Sequence, residues 1–302
     1  MNPPSPPPPG PWDPARPAPP APAPPTPPPP PGGRLEPSSG GGPQPIGPPQ
    51  PGAVAVVPGG PAHPPLAGPE ERPQATWRWW EAVLLFLIAI VVQAAVLLVA
   101  GEDFIDSTTG ELMAGLVFGV VIGAGTVVWL RVWHRQAFAA IGLPKRPVRE
   151  VGSGVGWGLV IRLGSFPVIV LVATLVEAFI DRTLVTPEQL ETDVGTGTIV
   201  LAVLVAVVVA PVAEELFFRG FLYRSLRARH GYWFAGLVSS VLFGLVHWQP
   251  EGLLPSLPLM AGVAAAAMAW AYLYDRAGSI LVPIASHMAF NLVGVVLILT
   301  AS

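Results

Sequence analysis

From residue 76 onward the chain is a succession of long apolar runs parted by short polar turns. The runs fall near residues 80–100, 112–133, 152–180, 198–222, 232–248, 257–274 and 279–299. As helices, they are long enough to cross a hydrocarbon layer of about 30 Å. No water satisfies the backbone inside such a layer, so only helices and closed barrels can span it. Barrel strands would show alternating runs of about ten residues, a pattern this sequence lacks. The sequence therefore predicts an all-α, polytopic transmembrane bundle of about seven spans. Charged residues make up 12% of the chain, about half the share usual in a soluble domain. Trp77, Trp79 and Trp80 flank the first span and are expected at the membrane interface as an aromatic belt. The third span contains Pro167 and is expected to tilt or kink.

Residues 1–75 read differently. They hold 31 of the 40 prolines. Such a segment favours polyproline II and cannot bury a core. It is expected to be a disordered tail, suited to a proline-binding module as partner, and residues 76–302 form the transmembrane domain. A net charge of −3 argues against nucleic acid as a partner. With no cysteine, disulfides, thiolate nucleophiles and cysteine-ligated metals are excluded. Loop charge sets the expected orientation. Arg72, Arg78, Arg131, Arg135, Lys145, Arg146, Arg149, Arg224, Arg227, Arg229 and Arg276 fall on one side, and Arg182 alone on the other. The positive-inside rule then puts the N-terminus in the cytoplasm and the C-terminus outside a cell membrane crossed many times.

A few polar side chains remain inside the spans: Arg162, Glu214, Glu215, Arg219, His247, His287 and Asn291. Ionisable groups are costly there and read as functional by default. Glu215 and Arg219 stand four apart with the glutamate first, the favourable order for a helical ion pair. That pairing turns Glu214 about 100° away, towards another partner. The turn after the fourth span falls near His230–Gly231. Glu214 lies 16 residues before His230 and His247 lies 16 after Gly231, so an antiparallel hairpin sets them level. His287 and Asn291 share one face of the last span. Pro211 and Pro283 precede Glu214 and His287 by three and four residues, and each is expected to open its helix locally. Arg162 reads as snorkelling or paired. His63 in the tail, and His134 and His230 in basic loops, read as solvated. A carboxylate beside an imidazole can bind and deprotonate water. A second histidine with an asparagine amide can hold a developing oxyanion.

The stretches Glu214–Arg219 (EELFFR), Phe243–His247 (FGLVH) and His287–Asn291 (HMAFN) resemble, in order, the three motifs of the CPBP family. This is the family of type II CAAX prenyl endopeptidases and bacteriocin-processing membrane proteases. The likeness covers roughly residues 150–300 and implies an intramembrane glutamic endopeptidase acting on a membrane-associated or lipidated protein. It implies that Glu214 is the water-activating base and His247 its partner. His287 and Asn291 would be the oxyanion pair, with Glu215, Arg219 and Phe243 in support. It implies no cofactor. Two other readings stand beside it. Glu214, His247 and His287 supply donors for a three-ligand zinc site, although the H-E-x-x-H helix is absent. A non-enzymatic membrane protein is the other reading, either a transporter with a Glu–His relay or a bacteriocin-immunity scaffold that binds a peptide. Rhomboid-type serine chemistry lacks its Gly-x-Ser-Gly elbow, and Tyr274-Asp275 lacks the Gly-x-Gly-Asp partner of presenilin-type proteases.

Overall fold

The structure is a computed structural model that describes residues 74–101, 107–135, 137–180, 184, 195–249 and 252–301. The proline-rich segment, with its expected disorder and partner, lies outside these residues. All regular structure among the described residues is helical. In chain order the α-helices are α1 (Trp79–Ala100), α2 (Thr108–Trp133), α3 (Ala137–Ile141), α4 (Pro147–Ile180), α5 (Thr196–Leu204), α6 (Ala210–Glu215), α7 (Arg224–Leu245), α8 (Leu253–Ala277) and α9 (Leu281–Ala301). Two π-helical segments, Val205–Val209 and Leu216–Tyr223, flank α6. Such widened turns are rare and gather at functional sites.

Among the described residues, six helical stretches are long and apolar enough to cross a membrane. One of them, Thr196–Leu245, has 50 residues, far more than one crossing needs. It reverses at Gly231, where φ is 82° and ψ 175°, a conformation suited to glycine. The Ser239 hydroxyl donates to the Phe218 carbonyl at 3.2 Å, and the rings of Phe218 and Phe243 lie 5.0 Å apart. The stretch is thus two antiparallel arms, and the seven expected spans correspond to seven arms. Leu98, Leu163 and Phe179 point outward and are largely exposed, as lipid-facing side chains are. The chain is a multi-pass membrane protein.

Two expectations fail at the start of the bundle. Trp79 and Trp80 are exposed, but Trp77 is not a belt residue. It is buried, and its indole N–H donates to the Phe221 carbonyl at 2.8 Å, in the second π segment. His134 is not solvated either. Its Nε2 lies 2.6 Å from Glu81 Oε2, which also accepts the Trp129 indole N–H at 2.9 Å. A buried carboxylate needs such partners, and here they tie α1 to the end of α2. Pro167 lies inside α4, which runs as one helix from Pro147 to Ile180.

Small residues set how closely the arms approach. Gly154 and Gly158, four apart on α4, lie against α9 in the parallel sense. A Cβ on Gly154 would stand 2.7 Å from the Ala285 Cβ, and one on Gly158 2.8 Å from the Ala289 Cβ. This is small-xxx-small packing between membrane helices. Gly158→Leu will push α9 away and cost about 1–3 kcal/mol, read as earlier thermal unfolding in detergent; an unchanged midpoint would contradict the packing. Across the bundle, a Cβ on Gly123 of α2 would meet the Ala213 Cβ at 2.9 Å. The helix carrying Glu214 is therefore held tightly from behind.

Candidate active site

The expected Glu215–Arg219 pair is present. Arg219 Nη1 lies 3.0 Å from Glu215 Oε1, and neither side chain is exposed. Nη2 donates to the Ala267 carbonyl of α8 at 3.0 Å. The guanidinium carbon lies 4.9 Å from the Phe243 ring centre and 5.4 Å from that of Trp270. The charge is thus enclosed by a carboxylate, a carbonyl and two aromatic faces.

His287 joins this pair from α9. Its Nδ1 lies 3.0 Å from Glu215 Oε1, and its Nε2 lies 3.8 Å from Glu214 Oε2. The first distance is a hydrogen bond and the second is too long for one. Trp270 stacks on the imidazole at 4.0 Å with planes 23° apart, and donates its own N–H to Ser286 Oγ at 3.1 Å. His287 therefore cannot turn. Glu214 is 22% exposed where Glu215 is sealed. Of the two adjacent carboxylates, only Glu214 is open to its surroundings.

His247 follows the end of α7. Its Nδ1 lies 2.8 Å from the Phe243 carbonyl, and the two rings sit 4.8 Å apart. A carbonyl only accepts, so Nδ1 carries the proton and Nε2 presents a lone pair. The hairpin register agrees with the sequence. The touching rings Phe218 and Phe243 are four residues after Glu214 and four before His247. The hydrogen bonds and ion pairs of the described residues link Glu214 to His287; none links it to His247.

Asn291 is held by a defect in the helix before Glu214. In the first π segment the Ala210 N–H reaches back five residues to the Val205 carbonyl. The next donor in that pattern would be Pro211, aimed at Ala206. Proline has no N–H, so the Ala206 carbonyl is free for the Asn291 amide, which donates to it at 2.7 Å. Pro211 does free a carbonyl, as expected, and a side chain takes it up. Pro283 does not open its helix: it is the third residue of α9, where an N–H would lack an intrahelical partner anyway. Asn291→Leu will leave the Ala206 carbonyl unpaired and destabilise the fold by about 1–3 kcal/mol; a midpoint equal to the native one would show that water replaces the amide.

The donors named for zinc do not converge. Among the described residues no three His, Asp or Glu side chains form a cluster able to hold one metal ion. His247 places Nδ1 on a carbonyl and His287 places Nδ1 on Glu215, which leaves Nε2 of each ring uncommitted by these bonds. Trp270 was missed by sequence reasoning, yet a signal for it existed. Trp270 and His287 are placed symmetrically about the turn at Gly278–Ser279, by the same arithmetic that pairs Glu214 with His247.

The three motif segments all fall within residues 196–293, which match the family model described as type II CAAX prenyl endopeptidase Rce1-like. These 98 residues, about a third of the chain, are similar to that family. A curated relative, named "Putative membrane peptidase YdiL", of Bacillus subtilis (strain 168), is 36% identical over 91 residues. That alignment covers 30% of this chain and 34% of the relative, so the chain spans about a third of the length of the curated relative it matches. No solved structure matches significantly. The Rce1-like segment contains α5 to α8 and the first part of α9, and with them every residue of the candidate site.

Proposed function

We propose that the chain is an intramembrane endopeptidase that hydrolyses a peptide bond of a membrane-associated or lipidated protein. The observation that carries this reading is the pair of adjacent glutamates in the Rce1-like segment, one sealed in an ion pair and the other open. In this reading water is held between the Glu214 carboxylate and the His247 Nε2 lone pair. Its oxygen attacks the peptide carbonyl while its proton passes to Glu214. His287, protonated on both ring nitrogens so that Nδ1 donates to Glu215 and Nε2 to the oxyanion, stabilises that oxyanion together with the remaining N–H of Asn291. The C–N bond then breaks and Glu214 returns the proton to the leaving amine. Glu215 and Arg219 hold His287 in place, and Phe243 carries His247. The N-terminus lies in the cytoplasm, the C-terminus outside, and cleavage occurs towards the cytoplasmic leaflet.

The test is hydrolysis of a membrane substrate by purified chain in lipid nanodiscs, with metal analysis alongside. Activity is expected to survive 1,10-phenanthroline and to disappear in Glu214→Gln. Loss of activity with the chelator, restored by zinc, would favour the metal reading. Full activity in Glu214→Gln would sink the glutamate as base, and no hydrolysis at all would favour a transporter or binding scaffold.

A further inference from the structure

Arg162 is a charge the site above leaves unused. It stands inside α4, with 15 residues of helix before it (147–161) and 18 after (163–180). At about 1.5 Å per residue it lies about 2 Å from the midpoint of the helix; a hydrocarbon layer about 30 Å thick centred there leaves it roughly 13 Å from the nearer surface, deeper than its side chain reaches. Its guanidinium carbon lies 4.9 Å from the centre of the Phe290 ring on α9. Beside that ring Gly294 leaves the head group room. A Cβ at 294 would stand 3.1 Å from Nη2 and 3.4 Å from Nη1. Among the described residues no carboxylate pairs with Arg162. Arg219, equally intramembrane, has a carboxylate, a carbonyl and two rings. A single cation–π contact offsets only part of the cost of a charge at such depth.

The seat has a defined place. Phe290 adjoins Asn291 in sequence, and Gly294 is three residues further along the same helix. The guanidinium therefore lies level with Asn291 and up to one turn beyond it, on the neighbouring face of α9. We propose that Arg162 binds a carboxylate of the bound peptide, presented beyond the bond that is cut. This role for Arg162 rests on the endopeptidase reading. A planar guanidinium with free N–H groups suits a carboxylate in two-point contact. A lipid phosphate fits less well. Residues 290–294 are nine to thirteen residues into α9, roughly 14–20 Å along it, near the middle of a hydrocarbon layer about 30 Å thick. The carboxylate has two sources, a free C-terminus or an acidic side chain.

The experiment reads binding to the full chain carrying Glu214→Gln, in nanodiscs, by thermophoresis. The probes are N-dodecanoyl-Leu-Val-Leu as free acid, the same peptide as C-terminal amide, N-dodecanoyl-Leu-Asp-Leu amide, and dodecyl phosphate. The free acid is expected to bind about 10- to 100-fold more tightly than its amide. Arg162→Gln will erase that difference and Arg162→Lys will keep part of it, with both variants unfolding at the parent's midpoint. If the aspartate amide matches the acid and also depends on Arg162, a side-chain carboxylate suffices; if it behaves as the plain amide, the seat reads the C-terminus. The proposal is overturned if neither carboxylate probe outbinds the plain amide, or if the preference survives Arg162→Gln. It is also overturned if only dodecyl phosphate depends on Arg162, or if no probe binds. A chain that cleaves nothing yet prefers a carboxylate probe through Arg162 keeps the seat and loses the peptidase reading.

Discussion

Arg219→Ala will destabilise the folded chain by about 3–5 kcal/mol, the usual cost of breaking a buried ion pair from one side. The side chain has no exposure, lies 3.0 Å from Glu215 and donates to the Ala267 carbonyl. Its loss leaves a carboxylate and a carbonyl inside the bundle without their main partner. Arg219→Lys will recover less than half of the loss, because an ammonium cannot reproduce the planar contact with carboxylate, carbonyl and ring faces together. Thermal or SDS-induced unfolding in detergent, followed by tryptophan fluorescence, checks this. An alanine variant within 1 kcal/mol of the native chain would mean that the pair is not what holds α8 against the π segment.

Glu214→Gln will behave in the opposite way. It is expected to lower hydrolysis by about 10²- to 10⁴-fold, the range for a lost general base, with an unfolding midpoint equal to the native one. Glu214 is partly exposed, and its ion-pair partner, His287 Nε2, is 3.8 Å away, so glutamine of the same size disturbs little. The contrast with Glu215, one residue on and fully enclosed, makes the pair of glutamates a test of its own. Chemistry is expected to fail at 214 and folding at 215. Equal stability losses at the two positions would contradict the division of roles.

Much of this was legible in the sequence for physical reasons. Lipid forces helices, so the apolar runs gave the spans directly. Hairpin turns convert sequence distance into depth, so residues equidistant from Gly231 could be set level, and the Phe218–Phe243 contact has that register. What was not legible depended on side-chain direction. His134 and Trp77 were read by their flanks as loop and interface residues. Their burial follows from Glu81 and the Phe221 carbonyl, partners from distant parts of the chain. The π segments were also out of reach, since hydropathy has the same pattern whether a turn closes on four residues or five. Pro211 hinted at a free carbonyl, but only the fold shows that Asn291 takes it.

The most direct measurement compares membrane-protein termini, by mass spectrometry, between cells carrying the native chain and cells carrying Glu214→Gln at equal abundance. The account predicts a set of new termini, adjoining membrane or lipid-anchored segments, present with the native chain and absent with the variant. Identical termini in the two cells, under conditions where the native chain is required for growth, would contradict it.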